Sequence, residues 1–138
     1  MNYTLHQLEI FRTIAELQSV TKASEQLFLT QPAVSIQLKN FQAQFNLPLF
    51  EIVGRKLYIT EFGKEISETA FKILEQVESI KYKSAIFEGK IAGKLNISIV
   101  STAKYTMPYF LSDFIKTNEM VSLTMDVTNK MAVLRSLE

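Results

Sequence analysis

The sequence has 138 residues, of which 47% are hydrophobic, with one histidine, no cysteine and a formal net charge of +1. This length allows one or two small domains with real hydrophobic cores. The absence of cysteine excludes disulfides, thiolate zinc sites and thiol catalysis, and a single histidine excludes histidine-based triads and multi-histidine metal sites, so we expect neither an enzyme nor a cofactor or metal site.

Residues 19–39 predict two short helices joined by a tight turn. Ser19 and Thr21 can cap the first helix, because their hydroxyl groups accept hydrogen bonds from first-turn amides. This helix is expected to run to about Phe28. Ala23 is small where a second helix must approach closely, so two short helices can pack here at a steep angle.

The second helix is predicted to begin at Thr30 or Gln31. Pro32 lies in its first turn, where the missing amide hydrogen and the fixed φ angle are tolerated. Val34 and Leu38 are four residues apart and form an apolar face that can pack against the preceding helix. Two helices in this arrangement are typical of a helix-turn-helix that reads DNA.

The outer face of the second helix carries mostly small or amide-bearing side chains. Glutamine can pair with adenine, serine can donate or accept, and alanine or proline can touch a thymine methyl group. The alternative is an ordinary helical domain with a polar surface. The residues of the two helices predicted to lie at a DNA interface are Ser19, Thr21, Thr30, Gln31, Pro32, Ala33, Ser35, Ile36, Gln37 and Lys39.

A β-hairpin is predicted over residues 49–60. Asn46 can take the left-handed backbone conformation that ends the preceding helix. Two runs of alternating apolar residues flank a tip at Gly54, where Arg55 and Lys56 could reach phosphates or a minor groove. The alternative for two adjacent basic residues is a solvated turn. With the helices before it, the hairpin predicts a winged helix.

Residues 64–87 contain no proline or glycine, and their apolar side chains recur at alternating steps of four and three. A heptad stripe of this length predicts a helix that packs against a partner helix. The alternative is a core helix within one globular domain. The predicted dimerisation residues are Ile66, Ala70, Ile73, Val77, Ile80 and Phe87.

Residues 89–93 contain two glycines and read as a boundary. Strands over residues 94–100 and 122–127, with a helix over 107–116 between them, predict a parallel β-α-β unit. Asn129 could cap a further helix. Parallel sheets are normally buried on both faces, and two strands leave those faces uncovered, so we expect a truncated chain or a short gene product.

Residues 5–63 resemble the LysR-type transcriptional regulators without a gap, over LHQLEIFRTIAE and SVTKASEQLFLTQPAVSIQLKNFQAQFNLPLFEIVGRKLYITEFG. The resemblance implies a mainly α fold with three parts: a winged helix-turn-helix over residues 1–62, a linker and dimerisation helix over 63–90, and the start of an effector-binding, periplasmic-binding-protein-like α/β domain over 91–138. The segment STAKYTMP is most similar to the branch that regulates RuBisCO operons.

The resemblance also implies a function. A regulator of this type binds a pseudo-palindromic promoter site as a homodimer or higher oligomer, so its partners are double-stranded DNA and a second copy of itself. Residues 1–60 carry five basic and four acidic side chains, so one module should bind DNA weakly and a dimer should recover affinity. With no membrane-length apolar run and no signal-peptide pattern, we expect a cytoplasmic protein without membrane partners.

The alternative from another class is a truncated regulator fragment that acts as a dimerisation module and does not bind DNA alone. Two departures from the family motivate it, since the family usually has arginine at Ile36 and commonly at Ile52. By the same resemblance, Ser101, Thr102 and Lys104 would help to bind a small anionic metabolite at the carboxyl end of a strand. Equally, Ser101 and Thr102 could simply cap the helix that follows.

Overall fold

The computed structural model describes residues 2–54 and 56–129, which form two compact units, Met1–Val77 and Glu78–Glu138. The elements, in chain order, are α1 (Leu5–Leu17), α2 (Val20–Gln26), α3 (Gln31–Gln42), β1 (Phe50–Val53), β2 (Lys56–Ile59), α4 (Glu61–Phe87), β3 (Gly93–Val100), a short 3-10 helix (Ser101–Ala103), α5 (Met107–Thr117) and β4 (Val121–Thr128). The predicted fold class is confirmed: helices dominate and the sheets are small. No helix in the described part of the chain has both the length and the apolar character needed to cross a membrane.

A capping box begins α1. The Thr4 hydroxyl accepts from the backbone N–H of Gln7 at 3.2 Å, and the Gln7 side chain accepts from the backbone N–H of Thr4 at 3.0 Å. Both groups would otherwise be unpaired donors at a helix start. The helix ends at Leu17, and its C-cap, Gln18, has a left-handed φ of 47°.

The crossing of α2 and α3 is held by a buried cluster of Ile10, Ile14, Ala23 and Val34. Ala23 and Val34 are both 0% exposed, which confirms the predicted packing faces of the two short helices. Because a small alanine lies at the contact, the helices approach closely.

The helix caps differ from the prediction. Ser19 does cap α2, accepting from the backbone N–H of Lys22 at 3.2 Å, whereas Thr21 lies inside the helix. Helix α2 ends at Gln26, two residues before the predicted end, because Phe28 takes a left-handed φ of 55° in the turn. Thr30 occupies the N-cap position of α3 without a side-chain hydrogen bond.

An aromatic core holds α1, α3 and the start of α4 together. The rings of Phe11 and Phe41 lie 5.0 Å apart, and both side chains are fully buried with Leu49. Ala70 of α4 belongs to the same cluster. The first part of α4 is therefore a core helix of the first unit.

The prediction that Asn46 adopts the left-handed conformation is wrong. Helix α3 ends at Gln42, and its C-cap, Ala43, keeps right-handed angles. The Gln42 side chain organises the following loop instead, accepting from Leu49 N at 2.6 Å and donating to Leu47 O at 3.1 Å. The side-chain amide of Gln42 thus stabilises the loop, where the prediction had expected a left-handed backbone conformation.

The wing is a two-stranded antiparallel hairpin in which Phe50 pairs with Ile59 and Val53 with Lys56. It leads directly into α4 through Thr60, whose hydroxyl donates to Pro48 O at 2.7 Å and accepts from Gly63 N at 2.9 Å. The winged helix-turn-helix predicted from the sequence is present.

The second unit contains the predicted parallel β-α-β arrangement, with β3 and β4 paired from Gly93↔Val121 to Val100↔Thr128. Ile99 is 4% exposed, whereas no residue of α5 is buried. Lys94 at the start of β3 forms a 2.9 Å ion pair with Glu78 of α4. The predicted helix after Asn129 lies outside the described residues.

Candidate nucleic-acid interface

Helix α3 buries Val34 and Phe41 and leaves most of the predicted interface residues accessible. Gln31, Pro32, Ala33, Ile36 and Lys39 are exposed, and Ser35 and Gln37 are half-buried. Ile36 is 58% exposed. The helix therefore presents a face of small, amide and apolar groups, which matches the chemistry of base edges in a major groove.

Gln31 and Ser35 form a pair one helical turn apart on that face. The Gln31 amide nitrogen donates to the Ser35 hydroxyl oxygen at 2.8 Å. A hydroxyl group can donate as well as accept, so the amide of Gln31 can also bind in the reversed orientation. The pair can therefore offer either donors or acceptors to a ligand.

Gln37 has a partner outside the helix-turn-helix. Its amide oxygen accepts a hydrogen bond of 3.1 Å from the amide nitrogen of Gln7 on α1. Gln7 was not identified from the sequence as a functional residue, although the Thr4-x-x-Gln7 spacing is a recognisable capping-box signature. The contact joins residues thirty positions apart, which no local pattern reveals.

A groove of about 580 Å³ lies between the α1–α2 junction and the wing. Ser19, Thr21 and Lys22 line it from the α1–α2 junction, and Lys56 and Tyr58 line it from the wing. Hydroxyl groups and lysines in this arrangement suit contact with phosphate oxygens. The structure thus brings Ser19, Thr21 and Lys56 to one surface.

The wing carries exposed apolar as well as basic groups. Ile52 is 75% exposed and Val53 is 62% exposed, while Lys56 is exposed at the start of β2. Arg55, the other basic residue predicted at the tip, lies outside the described residues. Gly54 has a φ of 64°, as a tight turn requires.

The predicted dimerisation stripe is divided between two environments. Ala70 is 1% exposed within the core of its own unit, and Ile66 and Ile73 pack against that core. A side chain buried in its own subunit cannot also face a partner, so Ala70 must be removed from the predicted dimer surface. Val77, Ile80 and Phe87 are accessible, at 38%, 66% and 94% exposed.

The residues predicted to bind an effector, Ser101, Thr102 and Lys104, follow β3 and are all exposed. Ser101 and Thr102 form the 3-10 helix, and the next helix, α5, has Thr106 at its N-cap position. The alternative role of Ser101 and Thr102 as caps of α5 is therefore wrong. Among residues 2–54 and 56–129 no group of three or more potential metal ligands comes together.

Comparison with known families gives one match over the first unit. Residues 5–64 match the family of bacterial regulatory helix-turn-helix proteins called the lysR family. The chain is 36% identical over 136 residues to the HTH-type transcriptional activator CmpR of Synechocystis sp., covering 99% of this chain and 45% of the relative. It is 34% identical to a RuBisCO operon transcriptional regulator of Acidithiobacillus ferrooxidans, covering 97% of this chain and 43% of the relative.

Solved structures show the same fold. An OxyR mutant from Corynebacterium glutamicum superposes with a TM-score of 0.76 at 26% identity, covering 99% of this chain and 44% of that one. A BenM_DBD/catB site 1 DNA complex superposes with a TM-score of 0.59 at 28% identity, covering 62% of this chain and 96% of that one.

These similarities confirm the suspected family and the RuBisCO-operon branch. The relatives are named as regulators of transcription, in agreement with the prediction that this chain is not an enzyme. The chain spans less than half of their length.

Proposed function

By its residues 5–64 the chain belongs to the lysR family of bacterial regulatory helix-turn-helix proteins, and from this premise we propose that it binds specific duplex DNA and regulates transcription. The observation that carries the proposal is the outer face of α3, where Gln31, Pro32, Ala33 and Ile36 are exposed. Helix α3 enters a major groove, and the bound protein acts in the cytoplasm on promoter DNA.

The interface makes two kinds of contact, one with base edges and one with phosphates. Gln31 and Ser35 read base edges, because their amide and hydroxyl groups match the donors and acceptors of the major groove. Lys22, Lys39 and Lys56 contact phosphates, which positions the helix without reading sequence. The similarity to a regulator of a RuBisCO operon supports a promoter of that class as the target.

The DNA-bound form is a homodimer or higher oligomer on a pseudo-palindromic site. One module has nearly balanced charges and gains little from counterion release, whereas two coupled modules gain affinity through effective concentration. The exposed end of α4, with Val77, Ile80 and Phe87, is the apolar surface available for pairing. The effector role of Ser101, Thr102 and Lys104 toward an anionic metabolite stays a prediction.

A salt titration of duplex binding by fluorescence anisotropy tests the proposal. Lys56→Ala should lower affinity for all sequences alike and reduce the salt slope by about one, as expected for a lost phosphate contact. Lys116→Ala, the same change on α5, is the matched control and should leave the slope unchanged. If the purified chain dimerises but holds no duplex at low salt, the dimerisation-module alternative is correct.

A further inference from the structure

We propose that Gln7 is a positioning residue for DNA recognition, because it fixes the orientation of the Gln37 amide so that the NH₂ group of Gln37 is the end that donates to a duplex. The inference rests on the proposed function, since it concerns how α3 meets a duplex. Gln7 lies on α1, outside the helix-turn-helix, and acts through Gln37.

The orientation follows from one group that cannot change its role. The backbone N–H of Thr4 is only a donor, so the side-chain atom of Gln7 that faces it at 3.0 Å must be the amide oxygen. The amide nitrogen of Gln7 is then the end that faces Gln37, at 3.1 Å. Because that nitrogen only donates, the atom of Gln37 that meets it must be the oxygen.

Turning either amide over would break this hydrogen-bond chain of Thr4, Gln7 and Gln37. A reversed Gln7 would set its NH₂ group against the N–H of Thr4, and a reversed Gln37 would set two NH₂ groups against each other. The Gln7–Gln37 bond is part-buried, which limits competition from water. The capping box also fixes the backbone of Gln7 through the Thr4 hydroxyl.

Gln31 and Gln37, the two glutamines of the predicted interface, therefore differ in what they can offer. Gln31 is paired with a hydroxyl group and can reverse its amide, whereas Gln37 holds its oxygen toward Gln7 of α1 and has its NH₂ group at the other end of the amide. The NH₂ group of Gln37 is thus matched to an acceptor, either a phosphate oxygen or a base acceptor such as guanine O6 or thymine O4.

A double-mutant cycle on duplex binding tests this role. Binding sites are selected from a randomised duplex library with the wild-type chain, and the affinities of Gln7→Ala, Gln37→Ala and the double variant are measured on the selected duplex. Gln37→Ala should weaken binding about fivefold, the effect of one lost hydrogen bond. Gln7→Ala should weaken binding in the wild-type background and have no further effect in the Gln37→Ala background.

The matched control is Gln44→Ala. The Gln44 amide oxygen also accepts a backbone N–H, that of Asn2 at 2.6 Å, but Gln44 lies beyond the end of α3. This variant should leave binding unchanged. Additive losses in the cycle would overturn the proposal, because they would mean that Gln7 does not act through Gln37.

Site selection with Gln37→Ala separates the two sources of the acceptor. If Gln37 donates to phosphate, affinity falls equally for all sequences and the salt slope changes. If it donates to a base, the preference for guanine or thymine at one position of the selected site is lost. Either result supports a Gln37 that donates through its amide nitrogen.

The side-chain amide resonances of the free protein give a readout that needs no DNA. Gln37→Ala should shift the NH₂ signals of Gln7 and leave those of Gln44 in place. If the Gln7 signals do not move, the positioning role is wrong even when DNA is bound. If they move but the wild-type chain holds no duplex, the proposed function fails while the hydrogen-bond chain itself is established.

Discussion

The two units of the molecule differ in how they are stabilised. In the first, Phe11, Phe41 and Leu49 are fully buried around α1 and α3. Among the described residues of the second, only Ala85 and Ile99 are as little as 4% exposed, and Phe110 on α5 is 79% exposed. The first unit is held by side-chain packing and the second largely by backbone pairing of two strands. The unit that contains most of the buried side chains is thus also the one that carries the proposed DNA-binding face.

The largest difference between the units should appear when a phenylalanine is truncated in each. Phe41→Ala should destabilise the chain by about 3–5 kcal/mol, because it leaves a cavity among packed rings. Phe110→Ala removes the same atoms from an exposed site and should change the free energy of unfolding by less than about 0.5 kcal/mol. Urea unfolding followed by circular dichroism measures both. Equal effects would mean that the second unit has a core of comparable strength.

Glycine substitutions should sharpen the comparison at the level of the backbone. A Cβ added at Gly63 would lie 2.2 Å from the Leu49 carbonyl oxygen, so Gly63→Ala should cost about 3 kcal/mol through forced movement of α4 against the wing. Gly89→Ala meets no atom within 4 Å but has a φ of +79°, and should cost about 1 kcal/mol. Thermal unfolding of both variants should place Gly63→Ala lower. The reverse order would contradict the close approach of α4 to the wing.

Helix capping provides a smaller test. Ser19→Ala removes the side-chain cap of α2 and should destabilise the first unit by about 1 kcal/mol. Thr106 occupies the same position before α5 without a side-chain cap hydrogen bond, so Thr106→Ala should change stability by less. Chemical denaturation of the two variants makes the comparison. A larger loss for Thr106→Ala would show that its contact to Ala103, rather than a cap, stabilises the second unit.

The smallest expected change in stability is its dependence on pH through Glu78. Hydrogen bonds from Lys94 and Tyr82 hold the Glu78 pKa below its usual value of 4.5. The folded carboxyl group binds a proton less readily than the unfolded one, so the ion pair adds stability above the unfolded-state pKa and loses it as pH falls through the lowered folded pKa. Both side chains are partly exposed, so the effect is modest.

Glu78→Gln isolates this contribution. Thermal unfolding from neutral to acid pH should show a shallower loss of stability for the variant than for the wild type. Glu119→Gln, a carboxyl group for which the described structure gives no ion pair, serves as the control. Identical pH profiles for Glu78→Gln and the wild type would mean that the Lys94 contact contributes nothing to stability.

Much of the fold could be predicted because its signals are local. Pro32 and the small Ala23 predict the helix-turn-helix, and the absence of proline and glycine over residues 64–87 predicts α4. The end of α2 could not be predicted, since a left-handed Phe28 contradicts the usual preference of an aromatic residue. The conformation of the loop after α3 could not be predicted either, because it is stabilised by the Gln42 side chain and not by a left-handed backbone turn.

The roles of several site residues could not be predicted from the sequence, for a different physical reason. A heptad stripe indicates that one side of a helix is apolar. The same stripe can pack against the core of its own subunit or against a helix of a partner subunit. Ala70 lies in the core while Ile80, ten residues later, is 66% exposed, and nothing in the spacing separates them. The Gln7–Gln37 contact was equally hidden, because it depends on how α1 crosses α3. Tertiary packing, not periodicity, assigns these residues their roles.

One feature of the first unit constrains how the wing can move. A single residue, Thr60, separates β2 from α4, and its hydroxyl group bonds to Pro48 on one side and to Gly63 on the other. No spacer exists to absorb a rotation, so turning the first turn of α4 about its axis displaces the hairpin with it. In the proposed dimer, the separation of two hairpins along a duplex would therefore be set by the angle at which two such helices cross.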